Sequence, residues 1–312
     1  MFYLLQKMSI LYMIIIIVII RVIRMKRVII VFLMIFMLTG CLVPDEEKEL
    51  HLNEKRVQIA LNESIDYLSY VEDNAFIENV TYNTIDTSKV GTYTIEYKLD
   101  DMVRTLIVDV VKMYDGGIFS PIGISPNIVS DPNDITVLVN KVNSIPEGWE
   151  PDDLVKVVDS SQKLRKEAAE AYKEFYSAAK AKGISIYSIS GYRSNDTQSL
   201  YWNNQLRVNG EEYASLYSAY PLRSEHQLGL AIDVSYKTDG DRLSESVEDS
   251  EIGKFIISDG YKYGFVLRYL KDKTSITNYG YEPWHMRYVG KELAKTLHES
   301  GLTLEEYYEE YN

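Results

Sequence analysis

Between residues 50 and 112, apolar and polar side chains alternate in short stretches that turn residues separate. Alternation with a period of two is typical of β-strands that bury one face, because successive side chains of a strand point to opposite sides. The pattern predicts strands over 57–61, 91–97 and 103–110, and it places a hairpin turn at 99–102. We therefore expect residues 50–112 to form a small all-β domain.

Glycine and proline residues cluster between positions 116 and 132, which predicts an irregular connection, and we assign residues 113–134 to a linker. Beyond it, apolar residues recur at three- and four-residue steps, as in helices that bury one face. The predicted helices run from a capping Ser160 or Ser161 to Gly183, from Asn195 or Asp196 to about Val208, around Ile252 to Ile256, and over 291–297 and 304–311. With a further strand at 184–189, residues 135–312 should form a mixed α+β domain.

The length and the charge balance narrow the class of protein. A chain of 312 residues is long enough for two domains, at roughly 150 residues each. Acidic residues outnumber basic ones by 46 to 33, and five of the basic residues lie in the first 40 positions, which hold no acid. The remainder carries 28 basic and 46 acidic residues, a net charge of −18. Such a surface repels phosphate backbones, so we expect no nucleic-acid partner.

The N-terminal residues have the features of a secretory signal. Two basic residues precede an apolar run over 28–38, and this run is too short to span a bilayer easily but suits the core of a signal peptide. We therefore expect residues 1–40 to be a signal peptide, with Met25 as an alternative start. An earlier apolar run over 10–20 leaves a plain membrane anchor as the alternative interpretation.

The predicted signal ends in Leu-Thr-Gly-Cys at 38–41, which resembles the lipobox of bacterial lipoproteins. The resemblance implies lipidation of Cys41, a tether over residues 41–49 and attachment to the outer face of the cell membrane. Cys41 is the single cysteine, which excludes an intrachain disulfide and any zinc site with two or more cysteines. The expected location is extracytoplasmic and lipid-anchored.

Two of the four histidines occur with carboxylates in a pattern that suits a metal. His226 precedes Asp233 by seven residues, and His285 follows Glu282 by three. A catalytic zinc takes three nitrogen or oxygen ligands and keeps one position open for water, and His226, Asp233 and His285 supply such a set. Glu282 is then available as a general base.

A shared metal requires particular backbone geometry. Residues seven apart face opposite sides of a straight strand, so the chain must bend between His226 and Asp233, and Gly229 permits a bend. Pro283 disfavours helical geometry at Glu282, which excludes the helical His-Glu-x-x-His arrangement of other zinc peptidases.

The two segments together resemble a known family. Ser-x-His-x6-Asp at 224–233, followed by Glu-x-x-His at 282–285, is similar to the zinc D,D-peptidases of the VanY and VanX type, which are D-alanyl-D-alanine carboxypeptidases and dipeptidases. The similarity covers about 135–312 and includes Leu-Val-Asn-Lys at 138–141, Ser-Gly-Tyr-Arg-Ser at 190–194, Gly-Phe-Val-Leu-Arg-Tyr at 264–269 and Glu-Pro-Trp-His-Met-Arg-Tyr-Val-Gly at 282–290. It implies the α+β zinc D,D-peptidase fold (hedgehog/VanX-like), and the VanY type is the closer one.

Carried over position by position, the resemblance implies zinc ligation by His226, Asp233 and His285, with Glu282 as general base. It also implies that Arg193 polarises the scissile carbonyl or holds the terminal carboxylate, for which a guanidinium fork is suited. The alternative for Arg193 is a surface ion pair.

Three further positions match polar residues near the substrate in relatives: Ser190, Gln198 and Ser224. One segment departs from the family pattern, because Pro-Leu-Arg stands at 221–223 where many relatives carry a Pro-Gly-Tyr turn. The departure affects the expected shape of the loop beside the substrate, and with it the choice of leaving residue.

The resemblance implies a zinc carboxypeptidase that removes the terminal D-alanine from peptidoglycan stem peptides. An L,D-carboxypeptidase that acts on tetrapeptide stems and a cell-wall-binding lipoprotein without activity remain as alternatives. The segment 90–97 resembles a strand of bacterial immunoglobulin-like surface modules, and residues 50–112 contain no group of catalytic side chains. We therefore expect a small immunoglobulin-like domain there that serves as a spacer or adhesion module.

Overall fold

The structure is a computed structural model, and it describes residues 49–72, 76–240 and 242–311. The predicted signal peptide, the predicted lipidation site Cys41 and the predicted tether as far as residue 48 lie outside the described residues. Within the described ranges, no helix has the length and apolar character needed to cross a membrane.

The N-terminal part contains a four-stranded sheet. Its strands are β1 (Arg56–Ala60), β2 (Thr81–Tyr82), β3 (Gly91–Leu99) and β4 (Met102–Val111), in the order β1-β4-β3-β2. β3 and β4 form an antiparallel hairpin, and β1 runs parallel to β4. The three predicted strands are confirmed, each with ends within two residues of the prediction.

The alternation in β3 explains which face of this sheet is buried. Ile95, Tyr97 and Leu99 point into the core, whereas the residues between them are exposed. Asp100 adopts a left-handed conformation with φ of 51° in the predicted hairpin turn. The described residues of this part form a single sheet, whereas an immunoglobulin sandwich consists of two.

The linker is packed against both parts of the chain. It contains β5 (Asn127–Ile128), which pairs in parallel with β6 (Asn143–Ser144). Phe119 and Ile124 are buried together with Val111 of the N-terminal sheet. The Phe119 amide also donates a hydrogen bond to Asn278 Oδ1 at 3.2 Å, so the linker is fixed to the C-terminal part as well.

A second sheet of four antiparallel strands lies at the centre of the C-terminal part. Its strands are β9 (Tyr187–Ser190), β10 (Ala231–Ser235), β11 (Phe265–Leu267) and β12 (His285–Tyr288), in the order β11-β12-β10-β9. Every residue of β10 is buried, since both faces of this strand are covered.

Helices surround this sheet, which confirms the predicted mixed α/β character. They are α1 (Lys166–Ala181), α2 (Asn195–Tyr217), α3 (Glu251–Asp259), α4 (Thr274–Thr277), α5 (Lys291–Ser300) and α6 (Leu304–Tyr311). The main core joins α1 to α3 and β11, where the ring of Phe175 stacks on Phe255 at 5.0 Å and lies 6.4 Å from Phe265.

Two helix boundaries differ from the prediction. A hairpin of β7 (Leu154–Lys156) and β8 (Lys163–Arg165) precedes α1, and Ser160 Oγ accepts a hydrogen bond from the Gln162 amide in its turn. The predicted helix start at Ser160 or Ser161 is therefore wrong. α2 begins where predicted, after a Ser194 cap, but continues to Tyr217 beyond an interruption at Gly210, where φ is 86°.

Candidate metal centre and its cavity

Two of the predicted metal ligands stand opposite each other on adjacent strands. Asp233 on β10 pairs in register with His285 on β12, and on its other side with Ser190 on β9. Residues paired across an antiparallel sheet present their side chains to the same face. The register of the sheet therefore sets Asp233 and His285 side by side.

The third predicted ligand, His226, lies in the turn before β10. A 3₁₀ helix over Glu225–Leu228 follows Ser224, whose Oγ accepts a hydrogen bond from the His226 amide at 3.3 Å. Gly229 comes next with φ of 67°, and a Cβ atom there would lie 2.9 Å from the Leu154 side chain. The chain reverses at this glycine, which confirms the predicted bend and brings His226 to Asp233.

The donor atoms of His226, Asp233 and His285 all lie within 4.8 Å of one another, and the three residues are buried. His226 Nε2 is 3.3 Å from Asp233 Oδ2, and His285 Nδ1 is 3.1 Å from Asp233 Oδ1. Within the described part of the chain, Asp233 Oδ1 is buried and has no hydrogen-bond partner. Two imidazole nitrogens, a carboxylate oxygen and an unsatisfied buried acceptor fit a divalent metal ion with three protein ligands.

The other ring nitrogen of each histidine has a hydrogen-bonding partner of its own. His226 Nδ1 lies 2.8 Å from the Gly191 carbonyl oxygen, which can only accept, so Nδ1 carries the proton and Nε2 keeps a lone pair for a metal. His285 Nε2 lies 3.2 Å from Glu225 Oε2, which leaves Nδ1 facing Asp233. Partners of this kind fix the ring orientation of metal-binding histidines.

The protonation of the ligands follows from burial and from their neighbours. Burial and the nearby Arg193 lower the pKa of His226 to about 4, so this imidazole is neutral at pH 7. Burial also disfavours charged His285, but the adjacent carboxylates of Asp233 and Glu225 outweigh it and raise the pKa of His285 to about 9. A metal that binds here therefore competes with a proton on His285.

Glu282 is buried directly before β12, with Oε2 3.7 Å from His285 Nδ1. It lies outside any helix, as predicted, and its amide donates to the Tyr269 carbonyl at 3.3 Å. Burial raises the pKa of Glu282 to about 8, although His285 opposes the shift. A carboxylate whose pKa is near neutrality is suited to accept a proton and return it.

Arg193 belongs to the site and is not an exposed surface ion pair. Its Nη2 donates to Asp233 Oδ2 at 2.9 Å. Its Nε donates to Ser190 Oγ at 2.9 Å and its Nη1 to Gln198 Oε1 at 3.4 Å, while the Tyr201 ring lies 4.7 Å from Cζ. Ser190 and Gln198 therefore orient the guanidinium group in this structure.

Sequence reasoning missed a buried charge network behind His285. Glu225 Oε1 accepts hydrogen bonds from Arg268 Nε at 2.7 Å and from Arg287 Nη1 at 2.8 Å. Arg268 also donates to both carboxylate oxygens of Glu305 on α6, at 2.8 and 2.7 Å. Burial alone would raise the pKa of Glu225, but the two arginines hold it well below its usual range.

A cavity of about 370 Å³ opens onto the metal-ligand cluster. Arg193, Ser224 and Glu282 line it together with the three ligands, whereas Ser190 and Gln198 are not among its lining residues. The volume lies within the roughly 300–1,000 Å³ that small-molecule sites occupy. The structure thus brings the predicted ligands, base and arginine together at one opening.

Comparison with known proteins identifies the family. The family model described as VanY, D-alanyl-D-alanine carboxypeptidase, matches residues 161–291. YodJ of Bacillus subtilis (strain 168), provisionally named a carboxypeptidase, is 40% identical over 234 residues, which cover 72% of this chain and 81% of YodJ. The chain belongs to the VanY family.

Two solved structures resemble this VanY-family protein. The structure of the L,D-carboxypeptidase LdcB matches with a TM-score of 0.55 at 41% identity, covering 64% of this chain and 92% of that chain. VanYB in complex with D-alanine-D-alanine matches with a TM-score of 0.50 at 31% identity, covering 57% of this chain and 98% of that chain. The predicted resemblance to VanY is confirmed, and this VanY-family protein is a carboxypeptidase.

Proposed function

We propose that this VanY-family protein is a zinc-dependent carboxypeptidase that releases the terminal D-alanine from peptidoglycan stem peptides. The observation that carries the proposal is the buried cluster of His226, Asp233 and His285 with Glu282 beside it, at the cavity. Two imidazoles and one carboxylate are a ligand set of hydrolytic zinc sites. The same set also binds Fe(II) in other proteins, so metal analysis of the purified chain is part of the test.

In the proposed reaction, Glu282 accepts and later returns the proton. Zinc held by the three ligands would supply Lewis acidity toward the scissile carbonyl and toward water. Glu282 takes a proton from the attacking water while the water oxygen bonds to the carbonyl carbon. The carbon–nitrogen bond then breaks, and Glu282 returns the proton to the leaving nitrogen. One water is consumed, and D-alanine and the shortened peptide are released.

Arg193 supplies positive charge for an anionic part of the substrate. Ser190 and Gln198 hold its guanidinium group at the cavity, and the face of Tyr201 supports it. A guanidinium fork binds a terminal carboxylate or stabilises a developing oxyanion. A fixed cation of this kind supports recognition of a chain end, because only the last residue of a peptide carries a free α-carboxylate.

An L,D-carboxypeptidase is the second candidate, and one observation favours it. LdcB, an L,D-carboxypeptidase, matches this chain at 41% identity, whereas VanYB matches at 31%. The two activities differ in the residue before the cleaved bond, which is a D-alanine in a pentapeptide stem and an L-centred diamino acid in a tetrapeptide stem. The shared metal site does not distinguish them.

The test is release of free D-alanine from synthetic pentapeptide and tetrapeptide stems by the full chain in detergent. Release from the pentapeptide alone supports the D,D activity, and release from the tetrapeptide alone supports the L,D activity. If folded, zinc-loaded protein releases D-alanine from neither peptide, the proposed function is wrong, and cell-wall binding without catalysis remains.

We also propose that the chain is a lipoprotein held at the outer face of the membrane through Cys41, with residues 50–112 as an all-β spacer. The lipobox-like ending at 38–41 and the strand pattern of 90–97 support this proposal. Cys41→Ala should abolish labelling of the chain with a radioactive fatty acid and release it from the membrane fraction. Retention of Cys41→Ala in the membrane without label would support a plain hydrophobic anchor instead.

A further inference from the structure

Among the described residues, two cations are buried beside the cavity without a carboxylate partner. Lys141 is 2% exposed and Arg223 is 5% exposed. In the part of the chain that the structure describes, neither forms an ion pair within 4.0 Å, and the hydrogen bonds of both end on main-chain carbonyl oxygens. Burial lowers the pKa of Lys141 to about 7 and also lowers the pKa of Arg223. Burial of a charge is unfavourable for stability unless other groups compensate it. Here the main-chain carbonyl oxygens do so together with two rings, since Tyr279 lies 4.9 Å from Lys141 Nζ and Tyr220 lies 5.1 Å from Arg223 Cζ.

The carbonyl groups that accept these hydrogen bonds belong to the linker, to Lys141 and to Ser215 near the end of α2. Arg223 donates to the carbonyl oxygens of Pro121 at 3.2 Å, Lys141 at 2.7 Å and Ile124 at 2.8 Å. Lys141 donates to the carbonyl oxygens of Phe119 and Ser215. The two cations thus connect residues 119–124 of the linker to both ends of the segment 215–224.

This segment, which we call the wall loop (residues 215–224), consists of the last residues of α2 and the turn after it, and it forms one side of the cavity. Tyr217, Ser218, Ala219 and Ser224 all line the cavity. Leu222 has φ of 69°, a left-handed conformation that is unfavourable for leucine and must be held by its surroundings. Its carbonyl oxygen accepts from the Ile145 amide at 2.9 Å, and its amide donates to Gln227 Oε1 at 2.8 Å.

We propose that linker residues 119–124 support the wall of the substrate site, and that Arg223 is a positioning residue that fixes the wall loop against them. Arg223 contacts no metal ligand in this arrangement. It acts through the loop, since its guanidinium joins three carbonyl groups that a single aliphatic side chain could not hold in place. The linker then does more than connect two domains, because it is the surface on which the cavity wall is built. This inference rests on the proposed function for its kinetic readout.

The test compares Arg223→Met with the wild-type full chain on whichever stem peptide the wild type cleaves. Methionine keeps most of the length of the side chain and removes every donor. We expect KM to rise about tenfold, which corresponds to a loss of 1.4 kcal/mol in the binding of both the ground state and the transition state. The kcat and the amount of bound zinc should stay within about twofold of the wild type. Lys141→Met should change KM in the same direction, because it releases the other end of the wall loop.

Arg165→Met is the matched control. Arg165 also donates to a linker carbonyl, that of Asn133 at 2.7 Å, but within the described ranges it makes no hydrogen bond to the wall loop. The KM of this variant should equal that of the wild type. If Arg223→Met does not fold, Arg223→Lys serves instead, with a smaller rise in KM, because one ammonium group reaches fewer of the three carbonyls.

Three results would overturn the inference. These are a wild-type KM in a folded Arg223 variant, loss of zinc or kcat in place of a KM effect, and an equal KM rise in Arg165→Met. Failure of the proposed function is a separate outcome, since the wild type would then release no D-alanine. In that case the test is the rate of hydrogen exchange at the Ile145 amide, because this amide donates a hydrogen bond to the Leu222 carbonyl oxygen of the wall loop. Its protection should fall in Arg223→Met and not in Arg165→Met, and equal protection in both would contradict the inference.

Discussion

Glu282 is the side chain whose chemistry the account depends on most. Its carboxylate lies 3.7 Å from a ligand histidine, and burial raises its pKa to about 8. Glu282→Gln keeps the shape of the side chain but cannot accept a proton. We expect kcat to fall about 10²–10⁴-fold with bound zinc unchanged, as measured by D-alanine release and metal analysis of the same sample.

His226→Ala is the matched comparison for Glu282→Gln. It should lose zinc together with activity, because it removes one of three ligands. A Glu282→Gln protein with near wild-type turnover would rule out the role of Glu282 as general base. Loss of zinc in Glu282→Gln would show that this carboxylate is a ligand instead.

Glu225 contacts His285 Nε2 at 3.2 Å and would act on a bound metal through this histidine. Glu225→Gln weakens that acceptor and should lower zinc affinity about 10–100-fold, the usual effect of losing a partner of a ligand histidine. Competition with a chromophoric chelator measures the affinity. The control is Glu245→Gln, which changes a carboxylate at the same cavity that has no ion pair with a ligand histidine among the described residues. Equal affinities in both variants would contradict this role.

The pKa of His285 predicts how metal binding depends on pH. The adjacent carboxylates of Asp233 and Glu225 outweigh burial and raise this pKa to about 9, so the metal-free histidine is protonated at pH 7. Zinc must displace that proton, and its affinity should therefore rise with pH up to about 9 and level off above it. Chelator competition between pH 6.5 and 9.5 measures the slope. An affinity that does not change between pH 7 and 9 would contradict the assignment.

At the residue scale, the sequence predicted which side chains lie together. His226, Asp233, His285 and Glu282 could be selected because a hydrolytic zinc site needs those residue types, and the structure brings them to one place. The partners of Glu225 could not be found in the same way. Arg287 stands two residues after His285 and so faces the same side of β12, which is a usable signal. Arg268 and Glu305 meet Glu225 only through the tertiary fold.

At the scale of elements, α6 is connected to the candidate metal centre by a buried ion pair. Both oxygens of Glu305 accept hydrogen bonds from Arg268, which also contacts Glu225. Glu305→Gln leaves the buried Arg268 with Glu225 as its one charged partner among the described residues. The substitution should therefore reduce the free energy of unfolding by about 3–5 kcal/mol. Urea denaturation monitored by circular dichroism measures the change.

Glu306→Gln is the control on the same helix. Glu306 pairs with Lys273 at 2.7 Å, but both side chains are partly exposed to solvent, so the loss should be about 1 kcal/mol or less. The amide oxygen of the new side chain could still accept the capping hydrogen bond that Glu306 receives from the Thr303 amide. Equal losses in the two variants would contradict the special role of the buried pair.

Element boundaries show where local pattern reasoning was insufficient. Leu164 fits a helical periodicity in sequence, but it is the buried centre of β8, which pairs with β7. Pairing between strands depends on partners that lie outside the short stretch of sequence over which a helical periodicity is recognised, so the local pattern did not indicate it. The two period-two strands of the β3–β4 hairpin were predictable because their partner is the next segment of the chain.

At the scale of the whole molecule, two sheets share one linker. Lys112 at the end of β4 pairs with Glu211 on α2 at 2.7 Å, and the linker residues Phe119 and Ile124 pack against Val111. The presence of separate sheets before and after the linker agrees with the change of periodicity along the sequence. The use of the linker as a wall support was not, because Gly- and Pro-rich segments leave no periodic signal of what they contact.

The most direct test of the central claim is D-alanine release by the wild-type chain before and after removal of its metal with a chelator. The account predicts that chelation abolishes release, that added zinc restores it, and that zinc-loaded Glu282→Gln stays inactive throughout. D-alanine release at the wild-type rate by protein shown to contain no metal would contradict the account.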